Sequence, residues 1–317
     1  MIQKKMEAVN AGILGLCVGD ALGLPVQFKK REYLKTNPVS EMIPTQRLNF
    51  PKGTWSDDSS LTLCLAESLS RGYNLNDIAN NFLKWFKTGF LTPDNKAIDI
   101  GNTVKEAMMK LDQGIDPIAS GGNTLENNGN GSLMRILPLA FFLDSSNFDE
   151  IVKYRIIKEV SGITHSHEYS VVACYIYIDI ALGLLKNLSI LESYHEICKN
   201  KKKYEDLLDS NGKNLFQRIL NLEINNLSEK DIISTGFVVH SLEASLWSLL
   251  TSNAYEETMI KAVNLGDDTD TTAAIAGGLA GIHYGIKNIP LRWLNDLRNV
   301  EIIESISNRF CESIYTN

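Results

Sequence analysis

Apolar positions recur along this chain at the three-to-four-residue spacing of helices, in segments covering 59–71, 75–87, 104–111, 170–186, 237–250 and 271–285. Runs that alternate apolar with polar residues, as a half-buried strand requires, are nearly absent. The pattern predicts an all-α fold. Punctuation supports several boundaries: Gly72 follows one helical segment, Asp77 lies early in the next, and Ser228 precedes an acidic helix start. The stretch 187–234 is more polar and contains the turn signal Asp209-Ser210-Asn211-Gly212, which predicts a peripheral insertion of short helices.

Two helices carry a second pattern. Ala11, Gly15, Gly19 and Gly23 recur every four residues near the start, and Ala273, Gly277, Gly281 and Gly285 do the same near the end. Each helical glycine costs about 1 kcal/mol relative to alanine, so a row of them implies close approach by another backbone. The expectation is that both helices are central and packed tightly, plausibly on each other.

Composition narrows the function classes. A hydrophobic content of 44% over 317 residues is enough for a large core without disulfides. The formal net charge of -7 lacks the basic face of a nucleic-acid binder, and the one dense basic run, Lys199 to Lys203, sits among acidic and amide residues. The five cysteines are odd in number and widely spaced, which fits a reducing compartment. Glu7, Asn10 and Asp20 interrupt the apolar N-terminal segment, which therefore reads as a core helix and not a signal peptide. No stretch reaches the roughly 18 apolar residues needed to span a bilayer, and a cytoplasmic protein is expected.

Chemistry concentrates in two acidic clusters. The first, Ser56-Asp57-Asp58, immediately precedes an apolar helix, where serine and aspartate commonly cap free N–H groups. The second, Asp267-Asp268-Thr269-Asp270-Thr271, also opens a helix. It places three carboxylates in four residues, which repel one another unless a cation lies between them. Carboxylates and hydroxyls are hard donors suited to Mg²⁺, Mn²⁺ or Ca²⁺. An EF-hand begun at Asp268 fails, because Ala273 stands at its glycine position and Leu279 at its glutamate position. If clusters about two hundred residues apart share one site, the chain 1–317 is a single domain.

Three further segments are candidates. Asn128-Gly129-Asn130-Gly131-Ser132 leads to Arg135, and its backbone N–H groups could cradle an anion or simply make a turn. Asp99-Ile100-Gly101-Asn102 offers Asp99 to a cationic group, with Asn102 able to cap the following helix. His165 and His167 are spaced so that they do not share a helix face, and each reads more readily as a hydrogen-bonded loop histidine than as a ligand.

Taken in order, 15–23, Trp55-Ser56-Asp57-Asp58, Asp99-Ile100-Gly101-Asn102, 129–135, Thr164-His165 and 266–271 resemble the ADP-ribosylglycohydrolase family, including the dinitrogenase reductase-activating glycohydrolases. The resemblance runs from about residue 8 to residue 285. It implies an all-helical fold and a binuclear Mg²⁺ or Mn²⁺ centre. Ser56, Asp57, Asp58, Asp268, Asp270 and Thr271 would be its ligands, with Asp267 outside them. It implies that Gly129, Asn130, Gly131 and Ser132 cradle a diphosphate near His165, and that Asp99, supported by Asn102, faces the ribose and a guanidinium leaving group.

The implied reaction is hydrolysis of the N-glycosidic bond of ADP-ribosyl-arginine on a protein, releasing ADP-ribose, with Asp99, Asp58 and Asp268 as the catalytic carboxylates. One departure bears on this: Gln27 stands where relatives commonly carry glutamate, and an amide cannot act as a base. Two rivals follow. One is a non-catalytic ADP-ribose binder like the family's lens crystallins; the other is a hydrolase of a different linkage, such as serine or O-acetyl-ADP-ribose.

Overall fold

In the computed structural model, which describes residues 2–316, seventeen α-helices and five short 3₁₀ turns form the described chain, with isolated bridges but no strand among the described residues. The predicted helices appear as Asp57–Leu69, Leu75–Thr88, Asn102–Asp112, Glu168–Leu185, Val238–Leu250 and Thr269–Tyr284. Their ends follow local chemistry. Asn74 accepts from the Asp77 N–H at 3.1 Å to open one helix, and Gly89 closes it with φ +69°. Ser228 opens only the 3₁₀ turn Glu229–Asp231 instead of a full helix.

At the centre the helix Ile2–Gly23 lies antiparallel against Thr269–Tyr284, with the two small-residue stripes face to face. A methyl added at Gly15 would stand 2.4 Å from the Gly277 carbonyl oxygen, and one at Gly277 would stand 2.3 Å from that of Gly15. Equivalent encroachments, at 2.2 Å and 2.1 Å, join Gly19 to Ala273 and Gly281 to Ala11. No side chain fits between these backbones. Gly285 departs from the expectation: at φ +82° it closes its helix and touches nothing across the interface.

Around this pair pack Asp57–Leu69, Glu168–Leu185, Val238–Leu250, Tyr255–Asn264 and Val300–Tyr315. Hydroxyls bond carbonyls exposed by the thin stripes: Tyr255 donates to Gly15 O at 2.7 Å and Tyr177 to Ile275 O at 3.1 Å. The stretch 187–234 forms the short helices Ile190–Lys199, Lys202–Glu205 and Ser210–Leu220. Its tetrad at 209–212 is a helix start and not a free turn, because Asp209 caps with a 2.6 Å bond from Gly212 N–H. Phe216, Ile219 and Ile224 are buried, and Ser234 O accepts from Asp268 N–H at 2.9 Å, so the segment's end holds the second acidic loop.

Contrary to the sequence expectation, two stretches, Ile2–Val26 and Glu168–Leu185, are long and apolar enough to cross a membrane. In both, 89% of the most apolar window is buried inside the protein, where other helices take the place lipid would occupy.

Candidate active site

The two acidic clusters meet where the central pair ends. Ser56 caps Asp57–Leu69, and Asp20 from the first helix completes the cap, accepting from Ser56 N–H at 2.9 Å, Ser59 N–H at 3.1 Å and Ser59 Oγ at 2.6 Å. Capping is therefore discharged without the carboxylates of Asp57 and Asp58. Asp268 occupies the cap position of Thr269–Tyr284 but makes no capping bond with its side chain. Capping therefore accounts for Ser56 but not for the carboxylates of Asp57, Asp58 and Asp268.

Carboxylate oxygens of Asp20, Asp58 and Asp270 all lie within 4.8 Å of one another, and all three residues are buried. Thr271 Oγ1 donates to Asp58 Oδ2 at 3.4 Å, and Ser56 Oγ to the same oxygen at 3.0 Å. Asp58 Oδ1 and both oxygens of Asp270 have no hydrogen-bond partner. Burial pushes the carboxyls of Asp57, Asp58, Asp268 and Asp270 above the ordinary range, and neighbouring carboxylates push further; Asp20 is pushed up to about 6, chiefly by burial. Buried, mutually repelling and partly unpaired oxygens are costly unless a cation satisfies them. The donor set is all oxygen, so it fits a hard divalent cation.

Asp57, Asp58, Asp268 and Thr271 open onto a cleft of about 690 Å³ that Gln27, Arg47, Asp99, Asn102, Gly129, Asn130, Gly131 and His165 also line. Asn130 ties its glycine loop to the acidic site, donating from Nδ2 to Asp268 Oδ2 at 2.6 Å. Close packing explains Gly131, where a methyl would stand 2.8 Å from the His165 ring. His165 is buried, bonded through Nδ1 to Thr164 Oγ1 at 2.8 Å, and burial holds its pKa down to about 3, so it faces the cleft as a neutral ring.

Three sequence expectations are corrected. The Ser132 side chain does not face the cleft; its fully buried hydroxyl accepts from Ser161 Oγ at 2.9 Å and lies 3.5 Å from Cys174 Sγ. Arg135 is no anion anchor, because it is buried over the Phe82 ring at 4.8 Å and donates back to Gly131 O, fixing the loop from behind. Asp267, which the resemblance sets outside the ligands, turns its carboxylate outward to Lys30 at 2.9 Å with φ +56°, so only two of the three clustered carboxylates face inward. Asn102 neither caps its helix nor bonds Asp99; the support of Asp99 comes from Gln27, whose Nε2 donates to Asp99 Oδ2 at 2.6 Å.

Sequence reasoning also missed residues. Asp20 was visible as the one carboxylate in the apolar, glycine-striped run from Ala11 to Gly23. Arg47 and Phe28 lie in irregular loops without periodicity, and only folding brings them to the cleft. Arg47 pairs with Asp99 at 2.7 Å, bonds Gln27 Oε1, and lies over the Phe28 ring at 5.1 Å.

Comparison with known proteins gives the family. The sequence pattern of the ADP-ribosylglycohydrolase family matches residues 1–317. The "ADP-ribosylarginine hydrolase Tri1" of Pseudomonas putida (strain GB-1) is 29% identical over 96% of this chain and 78% of its own length. The "ADP-ribosyl-[dinitrogen reductase] glycohydrolase" of Rhodospirillum rubrum is 28% identical over 90% of this chain and 88% of its own. A solved structure of an "ADP-ribosylglycohydrolase-related protein complex" superposes with a TM-score of 0.77 at 26% identity, covering 98% of this chain and 99% of that one. The chain belongs to the ADP-ribosylglycohydrolase family, hydrolases that act on glycosyl bonds.

Proposed function

We propose that this enzyme hydrolyses the N-glycosidic bond between ADP-ribose and an arginine side chain of a modified protein, with divalent cations held by Ser56, Asp57, Asp58, Asp268, Asp270 and Thr271. Asp20 joins that set through its place within 4.8 Å of Asp58 and Asp270. The observation that carries the reading is the unpaired state of Asp58 Oδ1 and both Asp270 oxygens beneath a cleft walled by Asp99. Mg²⁺ or Mn²⁺ would supply orientation of the ribose hydroxyls and stabilisation of negative charge.

The chain's own groups account for the remaining steps. Gly129 and Gly131 offer backbone N–H groups to the diphosphate, while the Asn130 N–H is held by Gly236 O at 3.0 Å and fixes the loop, and neutral His165 packs beneath it. Asp99 receives the guanidinium, held in orientation by Gln27. Gln27 in place of glutamate suits that role, since its amide donates to Asp99 and leaves its carbonyl oxygen to accept from a guanidinium. Asp58 and Asp268 line the cleft, and one of them takes a proton from the attacking water. The water oxygen bonds to the ribose anomeric carbon, the carbon–nitrogen bond breaks, and the guanidine leaves with the bonding pair and takes up the proton that the carboxylate removed from the water. A positioned base contributes about 10² to 10⁴-fold to such a step. The five cysteines are buried and unpaired, which supports a reducing, cytoplasmic setting.

Incubation with arginine-linked and serine-linked ADP-ribosylated proteins, each with Mg²⁺, with Mn²⁺ and with chelator, tests this reading. Release of ADP-ribose from the arginine linkage in metal alone is expected. Faster release from serine, or release undiminished by chelator, would overturn it.

A further inference from the structure

Three groups converge at the mouth of the cleft in the arrangement that a guanidinium requires. Asp99 offers a carboxylate, Gln27 an amide oxygen, and Phe28 a ring face. These are the charged acceptor, the neutral acceptor and the π surface to which guanidinium ions bind. The backbone is held in unusual conformations to present them: Phe28 has φ +67° and Asp99 φ +60°, both rare for residues with a side chain. Phe28 is pinned there by a 2.6 Å bond from its N–H to Asp267 O, yet 62% of it is exposed. An apolar ring left exposed in a strained conformation beside a carboxylate invites a ligand.

The position is already filled by the protein's own Arg47. We infer that Gln27, Phe28 and Asp99 form the guanidinium subsite, and that Arg47 is its built-in occupant, which the arginine of the substrate displaces. The inference rests on the arginine-linkage reading for its substrate, though not for its geometry. Arg47 sits at the tip of a small hairpin closed by Thr45 and Phe50, with Thr45 N–H to Phe50 O at 3.0 Å and the reverse bond at 3.2 Å. The base is fixed and Thr45 is buried, while the Arg47 side chain is 38% exposed, so rotation of that side chain alone empties the subsite.

Arg47 also fits incompletely. Only one of its terminal nitrogens, Nη2, bonds the subsite, although a guanidinium carries five N–H donors and can grip a carboxylate with two. A substrate arginine, anchored through its ADP-ribose, can make the fuller contact. Arg47 thus acts as a specificity gate: it holds Asp99 neutralised against water and small cations, and yields to a guanidinium that arrives with additional binding energy. An exposed ion pair together with one cation–π contact corresponds to a docked population that weakens ligand binding by about 5- to 30-fold.

The test uses the full chain supplied with Mg²⁺ and methylguanidine as probe, titrated by calorimetry. Arg47→Ala should bind methylguanidine about 5- to 30-fold more tightly than the unaltered protein. Phe28→Asn, which tolerates positive φ, should reverse most of that gain when combined with it. On arginine-linked ADP-ribosylated protein, Arg47→Ala should raise kcat/KM by a similar factor, with Arg47→Lys intermediate because an ammonium lacks the planar fork. Unchanged methylguanidine affinity in Arg47→Ala, accompanied by a lower kcat/KM, overturns the inference and makes Arg47 a direct contact of the substrate. If the arginine linkage proves not to be cleaved while Arg47→Ala still gains methylguanidine affinity, the proposed function fails and the gated subsite stands.

Discussion

Replacing Asp270 by asparagine separates the two effects that a metal site has on its own protein. Asp270 is fully buried, neither of its oxygens has a partner, and oxygens of Asp20 and Asp58 lie within 4.8 Å of its own. Without metal, such a carboxylate carries either an unpaired buried charge or the cost of taking up a proton, which amounts to several kcal/mol. An unsatisfied neutral amide costs about 1–3 kcal/mol. In chelator at pH 8, Asp270→Asn should therefore be more stable than the unaltered enzyme by about 1–3 kcal/mol. At about 2 °C per kcal/mol for a chain of this size, the melting midpoint should rise by roughly 2–6 °C.

With metal the gap narrows, because the unaltered enzyme gains more than the variant. A cation at a hundred times its Kd stabilises the folded state by about 2.7 kcal/mol, or roughly 5 °C, and the variant should gain less than half of that. The gap in chelator should also narrow as the pH falls. The cluster's carboxyl pKa values lie above their unfolded values, so protonation removes the same repulsion in the unaltered protein that the mutation removes. Melting followed by circular dichroism, with chelator and with Mg²⁺ or Mn²⁺ at pH 5.5 and pH 8, reads all three quantities. A variant that is less stable than the parent in chelator and keeps the full metal-induced shift would refute the assignment of Asp270 to the metal site.

Three further outcomes follow from individual contacts. Gly281→Leu should lower the melting midpoint by several degrees and weaken metal binding, because even a methyl there lies 2.1 Å from Ala11 O and the helices it would part carry Asp20 and Asp270; thermal melts with and without metal check both effects. His165 should stay neutral down to about pH 4 in the folded protein, which NMR titration of its ring can follow. Because its folded pKa of about 3 is below the unfolded value of 6.5, stability from this residue is lost as pH falls from 6.5 towards 3. Ser132→Ala should leave KM for the ADP-ribosylated substrate within about twofold while costing about 1 kcal/mol of stability, since its hydroxyl bonds Ser161 in the core; steady-state kinetics and urea unfolding separate the two.

The sequence by itself determined the helices, the glycine-striped pair and the residue types of the metal site, because helical period, backbone-to-backbone approach and oxygen-donor chemistry are written in local spacing. It also carried the family resemblance, through motifs that stay in order along the chain. Whether Ser56-Asp57-Asp58 was a cap or a ligand set could not be decided locally. That depended on Asp20, thirty-six residues away from Ser56, completing the cap that Ser56 begins, so that the Asp57 and Asp58 carboxylates are not needed for it. In the same way Ser132 and Arg135 read as cleft residues until packing against Ser161 and Phe82 turned them inward.

The tertiary structure alone decided the chemistry of Gln27. As a letter in the sequence it was a missing base; in the fold it is the donor to Asp99 and the acceptor for Arg47. Arg47 itself gave no signal, because a loop residue has no period and its partners lie twenty and fifty-two positions away. Short-range spacing records which backbone a residue builds, whereas the neighbours of a side chain across the cleft depend on how whole helices pack.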